Sequence, residues 1–365
     1  MNAKCRSGDP IKSEADMKKV VCLCVTVLML VASGPASAQG GQPRDREVQR
    51  DRRAVERSES RDQRARDEQT ERFTRTLKVG SNGEIMIGNI SGNVTVTRGG
   101  GSDATLEVIK TARAQTAQEA KEVLGLVQVD IIERGNRAEI KTRYPQDEWR
   151  RNNRRNINVS VTYNLAAPAG TRVSVSSVSG SISATDITGD VALESVSGSV
   201  RIAKAGRVAA AKSVSGNVEV IDTEIEGQLE ASSVSGNVVV RNVKASRADL
   251  GSVSGTVIVQ DVNCERLEAQ TVSGDVEFAG SLARNGRYEL SSHSGSVQAA
   301  VAANVGFELE ATSFSGSVRS DIPLKSQSSG SSRRHQQQSL QGVYGDGSAV
   351  LELTTFSGSI VLTKR

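Results

Sequence analysis

Reactive side chains are scarce in these 365 residues, which hold two histidines, one tryptophan and four cysteines. His293 stands where a repeated motif elsewhere has valine, and His335 lies in a Ser/Gln/Arg-rich insert, so the two form no candidate pair. Cys5, Cys22 and Cys24 fall within the first 38 residues, leaving Cys264 as the only later thiol. A metal site of the usual His/Cys kind has too few ligands, and no metal or other cofactor is expected. No Gly-x-Ser-x-Gly elbow, Gly-x-x-x-x-Gly-Lys loop or Cys-x-x-Cys pair occurs beyond residue 38. Ser-Gly pairs are numerous because the turns are numerous.

Two groupings have the chemistry to hold a ligand. One is a column of acids, Glu230, Asp249, Glu268, Glu289, Glu310 and Glu352, each six positions before a repeated glycine, preceded in the column by Ala192 and Ala210. Acids stacked at regular spacing repel unless screened, so such a ladder suits divalent cations or a cationic surface, with Lys212, Arg201 and Arg319 as alternative partners. The other is Arg150, Arg151, Arg154 and Arg155 beside Trp149, where guanidinium and ring contacts suit an anionic glycan or phosphate. Acid/base catalysis asks for carboxylates in contrasting environments, and the acid ladder has near-identical surroundings throughout, so an enzyme is not expected.

The elements that position these groups are set by self-similarity. The motif Ser-Val-Ser-Gly and its variants place glycine at 180, 198, 216, 236, 255, 274, 295, 316 and 358, about 18 to 21 residues apart except for a final double step. Two positions after each glycine stand Ile182, Val200, Val218, Val238, Val257, Val276, Val297, Val318 and Ile360, all β-branched. Apolar residues also recur four after, and seven and five before, as in Leu267 and Ala269 or Leu351 and Leu353. Period-two alternation means one inward face per strand, and a single coil of this length cannot bury that face alone. The expectation is an all-β, parallel β-solenoid, a right-handed β-helix, with Gly180, Gly198, Gly216, Gly236, Gly255, Gly274, Gly295, Gly316 and Gly358 as structural turn residues. Serines one and three before the glycine, such as Ser235 and Ser233, belong to turn chemistry.

Upstream the pattern differs. Met17-Lys18-Lys19, an apolar run from Val20 to Ala32 and the small residues Ala36-Ser37-Ala38 have the order of a secretory signal peptide, with Met17 the expected start and residues 1–38 removed. The run is too short for a membrane span, so no transmembrane segment is expected after cleavage. Residues 39–72 interleave arginines with acids and read as a charged, disordered tether. Residues 73–165 alternate apolar residues between glycines and hold one helix candidate, Thr116 to Val127, with Thr116 as N-cap. The Ser-Gly solenoid then spans 166–365, interrupted at 325–340 by a flexible insert. Its last strand, Ile360 to Leu362, is expected to leave an unpaired edge unless that insert covers it.

These columns, the leader, the Asn-Gly and Ile-Ser-Gly segments at Asn82 and Ile90, the Pro168-Ala169-Gly170-Thr171 entry and the closing Thr354-Thr355-Phe356-Ser357-Gly358 resemble the putative-adhesin β-strand-repeat family of exported bacterial proteins. The resemblance covers roughly Phe73 to Arg365, implies the solenoid architecture, and carries no catalytic residues. Aromatics make up 3 % of the chain, so the core must be thin and aliphatic. Lys+Arg 46 against Asp+Glu 42 is too even a balance for nucleic acid as a partner. The expected function is a non-catalytic, exported structural and interaction protein of the periplasm, envelope or cell surface. Its partner is expected to be a glycan or protein. The alternatives are a carbohydrate-active β-helix enzyme and an envelope-stress signalling component.

Overall fold

The computed structural model describes residues 67–145, 158–302, 304–328 and 338–365. The stretch 65–365 forms one unit. Its strands build two sheets, one of 13 and one of 14 strands, and each repeat contributes one strand to each sheet. Gln228–Ser235 pairs in parallel with Arg247–Ser254 in the second sheet, and Val238–Lys244 with Val257–Asn263 in the first, with Gly236 and Gly255 at the corners between sheets. The solenoid expectation holds, and so does its register. Val218, Val238, Val257 and Val276 are partners in successive coils and fully buried. Facing them, the columns seven and five before glycine alternate in size, with Leu229, Ala248 and Leu267 beside Ala231, Leu250 and Ala269. Large residues therefore sit against small ones along and across the stack, which fills a thin core without aromatics.

The corner has no spare volume. A Cβ placed on Gly236 would lie 2.6 Å from the carbonyl carbon of Gly216, and one on Gly255 would lie 2.7 Å from that of Gly236, closer still to each carbonyl oxygen. The same crowding joins Gly92, Gly180, Gly198 and Gly216 in order. At Gly216 and Gly236 space alone is the constraint, since neither has positive φ, while Gly92 and Gly180 add a positive φ to the crowding. The serine or threonine three before each glycine is buried and donates its hydroxyl to the glycine carbonyl of the preceding coil: Ser213 to Gly198 at 2.9 Å, Ser233 to Gly216 at 2.9 Å, Thr271 to Gly255 at 2.9 Å and Ser292 to Gly274 at 2.8 Å. Ser177 is the exception, its hydroxyl buried without a partner, because the Gly92 carbonyl that it would reach accepts from Asn89 Nδ2 instead.

A second corner follows six residues after Gly180, Gly198, Gly216, Gly236 and Gly255. Asp186, Lys204, Asp222, Asn242 and Asp261 all hold φ between 49° and 59°. Asp and Asn tolerate this left-handed conformation better than most residues. Asn242 Nδ2 donates to Asp222 Oδ1 at 2.7 Å across the coils.

Both ends depart from the sequence expectation. Glu84–Ser91 and Val94–Arg98 are a first coil with its corner at Gly92, paired directly to Arg172–Ser179 and Ile182–Thr185, so the stack begins well before residue 166. Antiparallel strands Asp67–Leu77, Ala104–Ala114 and Asn158–Ala167 extend one sheet, and the hairpin of Gln128–Arg134 and Arg137–Arg143 extends the other. The helix Ala117–Leu126 packs on the first two of these, capped by Thr116, whose hydroxyl accepts from the Glu119 amide at 3.2 Å. The tether boundary at Arg72 is thereby corrected. Asp67 to Arg72 are strand, held by full antiparallel pairing and by ion pairs Arg113–Glu68, Lys110–Glu71 and Arg72–Glu107.

At the other end the expected bare edge on Ile360 to Leu362 is absent. Ile360–Lys364 lies between Val297–Val301 and Val318–Ser320, and Ala349–Ser357 lies between Arg287–Ser294 and Phe307–Ser315. The last coil in sequence is the penultimate one in space. The insert supplies Lys325–Ser328 and Gln338–Tyr344, an antiparallel pair that covers Phe307–Ser315, and Gln338 Oε1 accepts from the Val318 amide at 3.3 Å. Residues 329–337, with His335, lie outside the described residues, as do residues 1–66.

The corner geometry predicts that Gly236→Ala lowers unfolding free energy by about 3 kcal/mol or more, as forced overpacking against backbone does. Gly251→Ala is expected to be tolerated, because the nearest atom to its Cβ is Gln270 Cγ at 4.0 Å. Urea denaturation of the two variants checks the contrast.

Candidate functional site

Counting back in twos from the glycine assigns each strand residue a side. Positions seven, five and three before it face inward, so positions six, four and two face out. The outermost of these, two before the glycine, is apolar in every coil but one: Ile90, Val178, Val196, Val214, Val234, Val253, Val272, His293, Phe356 and Phe314, in spatial order. Val178, Val196, Val214 and Val272 are each 48 to 50 % exposed, and Phe356 47 %. At its end three rings stack in parallel, His293 on Phe356 at 5.0 Å and Phe356 on Phe314 at 4.7 Å between centroids. Faces meet faces, so most of what this stack offers solvent is ring edge.

Beside this ridge the next residue is serine in every coil, then glycine, then Asn93, Ser181, Ser199, Asn217, Asn237, Thr256, Asp275, Ser296, Ser359 and Ser317. Their side chains also tie the coils together. Asn237 Oδ1 accepts from the Thr256 amide and Asn217 Oδ1 from the Asn237 amide, both at 2.9 Å. The corner is thus an apolar line flanked by small polar groups, with Asp275 its only carboxylate. Composition drew attention away from it, because valine is read by type as core. The signal that finds it is parity within the strand.

The acid column is assembled as expected, with Glu230, Asp249, Glu268, Glu289, Glu352 and Glu310 successive neighbours on the outer face of one sheet. Cations from the protein already occupy most of it. Lys212 pairs with Glu230 at 2.6 Å, Arg247 with Asp249 at 2.8 Å and Glu268 at 3.5 Å, and Arg287 with Glu352 at 3.1 Å, while Gln341 Nε2 donates to Glu310 at 3.2 Å. Arg201 is turned to Glu219 instead. Glu289 alone in the column has no partner among the described residues, and no three His, Cys, Asp or Glu among them are placed to hold a metal ion. Arg150, Arg151, Arg154 and Arg155 lie outside the described residues.

Other titratable groups are structural. Burial pushes the Cys264 thiol up to about 12, so it stays protonated, and its carbonyl accepts the Tyr288 hydroxyl at 2.8 Å. Burial likewise pushes Tyr163 up to about 12, inside a network with Thr142 and Asn89 beneath the first coil. Glu224 is held low by Lys244, Asp261 by Arg365 and Glu139 by Lys141, all at the surface. Two concavities among the described residues, about 180 Å³ beside Phe278 and Ala300 and about 250 Å³ beside Asn93 and Arg113, hold no converging acid and base.

With stacked coils and their columns in place, the family can be stated: the Toastrack DUF4097 model matches residues 82–363. The chain belongs to that family. No curated protein matches this Toastrack chain. Among the solved structures similar to it are the following three. One is a putative cell adhesion protein from Clostridium sporogenes, at 10 % identity over 82 % of this chain and 100 % of that one, TM-score 0.22. Another is a putative lipid binding protein from Parabacteroides distasonis, at 16 % identity over 63 % and 89 %, TM-score 0.36. The third is a putative adhesin from the same organism, at 11 % identity over 80 % and 97 %, TM-score 0.35.

Two measurements follow from these placements. Cys264 should resist iodoacetamide at pH 8 in the native protein and react in concentrated urea, and rapid native labelling would contradict the burial. Glu289→Gln, which removes an unpaired charge between Glu268 and Glu352, should stabilise the protein by about 0.5 kcal/mol in thermal or urea unfolding.

Proposed function

We propose that this Toastrack protein is a non-catalytic, exported interaction protein of the cell envelope or surface, adhesin-like in the sense that it offers a solenoid wall to a glycan or protein partner. The observation that carries the reading is the corner ridge from Ile90 to Phe314. It leaves a row of aliphatic and aromatic side chains in water, interrupted only by the half-buried Val253, where isolated exposed residues are ordinary but a line of them marks a contact surface. The column points away from the core, so core packing does not ask for valine there, although β-propensity favours it. The leader-like residues 1–38 support export, and no helix among the described residues is long and apolar enough to cross a membrane.

The test uses cells that lack the protein, complemented with the wild-type chain or with Val178→Asp and Val214→Asp together. Surface attachment and envelope integrity should fall on deletion and return with the wild-type chain. The double variant, folded and produced at the same level, should not restore them. Normal attachment and integrity after deletion, full rescue by the variant, or turnover of a polysaccharide by the purified protein would overturn the reading.

A further inference from the structure

The ridge has a chemistry that restricts what can sit on it. It is convex, lying along the corner where two sheets meet, so it is no pocket for a small molecule, which needs concave enclosure. A sugar stacks on the face of an aromatic ring, yet four of the six faces of His293, Phe356 and Phe314 are spent on one another, and the other seven ridge residues carry no ring. An anionic membrane would ask for a row of lysines and arginines along the flanks, and the columns on either side of the ridge hold Lys212 as their one cation, against Glu194 and Asp275, among small polar residues. What remains is a partner surface that is apolar, uncharged and able to match a row of side chains at coil spacing.

Resting on the reading of the ridge as an interaction surface, we propose that its partner is a second copy of this chain, the two ridges packed against each other about a two-fold axis. A two-fold interface sets the same patch against itself, so any charge of one sign within it meets its own kind. The outer face of one sheet offers no such match, because most of its acids are already paired within the chain, to Lys212, Arg247 and Arg287, and the unpaired Glu289 would meet further acids. The ridge suits self-pairing, with Lys212, Glu194 and Asp275 as the only charges in the columns beside it. Spacing is matched automatically, since both ridges carry one side chain per coil and a valine of one copy can settle between two valines of the other.

Size fixes the strength. Ten rungs at about 4.8 Å give a ridge about 43 Å long, and four residues of strand at about 3.3 Å give a width of about 13 Å. The flat footprint is then about 560 Å² per copy, about 1,100 Å² in total, at the lower end of specific interfaces. The dimer is accordingly weak, with a dissociation constant on the order of micromolar.

Sedimentation velocity of the full chain from about 1 to 200 µM tests this, with the midpoint expected near the micromolar range. Val196→Ser, Val214→Ser and Val234→Ser together should raise the dissociation constant at least about tenfold. The monomer should stay folded and lose far less melting temperature than with Val218→Ser in the core, because these side chains are half exposed. A photo-crosslinking side chain at position 214 should link two copies through the ridge, and the same group at position 219, on the other sheet, should not. A protein that stays monomeric at the highest concentration, or dimerises equally well as the triple variant, overturns the proposal. If the protein is monomeric while the Val178 and Val214 variant still fails to restore attachment, the ridge serves a different protein. The self-association inference then falls while the proposed function stands.

Discussion

The structure depends on one close approach: at the corner of every coil a glycine α-carbon rests on the carbonyl of the glycine beneath it, with no room for a side chain between them. Everything else in the coil is indexed to that contact. It sets the register, so the β-branched residue two positions on falls on its counterpart in the next coil. It brings the glycine carbonyl within reach of the serine or threonine hydroxyl of the next coil, which satisfies a buried hydroxyl that would otherwise be costly. It also turns the residue two before the glycine outward, and so creates the ridge. Fold and candidate surface are two consequences of one steric fact.

Much of this was legible because the repeats are aligned by their glycines. Val200, Val218, Val238 and Val257 stand in one column and share one environment, so period and parity suffice to place them. The two serines of each motif are harder to tell apart by type. Ser233 is buried and bonded to Gly216, while Ser235, of the same strand parity, is exposed because the chain has reached the corner there. The ridge valines were hidden by the same ambiguity, since Val214 outside and Val218 inside are the same residue. The acid column was placed correctly on one face, but its neutralisation by Lys212, Arg247 and Arg287 depends on side-chain reach across coils, which spacing does not encode.

The order of the last two coils was not legible for a different reason. Phe307 to Ser320 and Ala349 to Lys364 present nearly the same columns, so either fits on top of Val297 by pattern alone. What selects the observed order is the hairpin of Lys325–Ser328 and Gln338–Tyr344, which needs a strand to pair with in antiparallel sense and finds it on Phe307–Ser315. That strand must then lie outermost, and the final coil fills the place beneath it. The result leaves the stack with an antiparallel cover on one sheet and a strand of only three residues, Val318–Ser320, as the edge of the other, an arrangement that limits edge-to-edge growth. At the opposite end antiparallel strands and the helix close the first coil. The solenoid is capped at both ends while its corner ridge is left open.

The contact of glycine upon glycine is therefore the claim on which register, hydroxyl ladder and ridge all rest. Nuclear Overhauser contacts between glycine α-protons measure it directly. The account predicts a continuous chain of contacts from Gly92 through Gly180, Gly198, Gly216, Gly236, Gly255, Gly274 and Gly295 to Gly358 and then Gly316. Missing contacts between Gly216 and Gly236, or a contact joining Gly295 to Gly316 in place of Gly358, would contradict it.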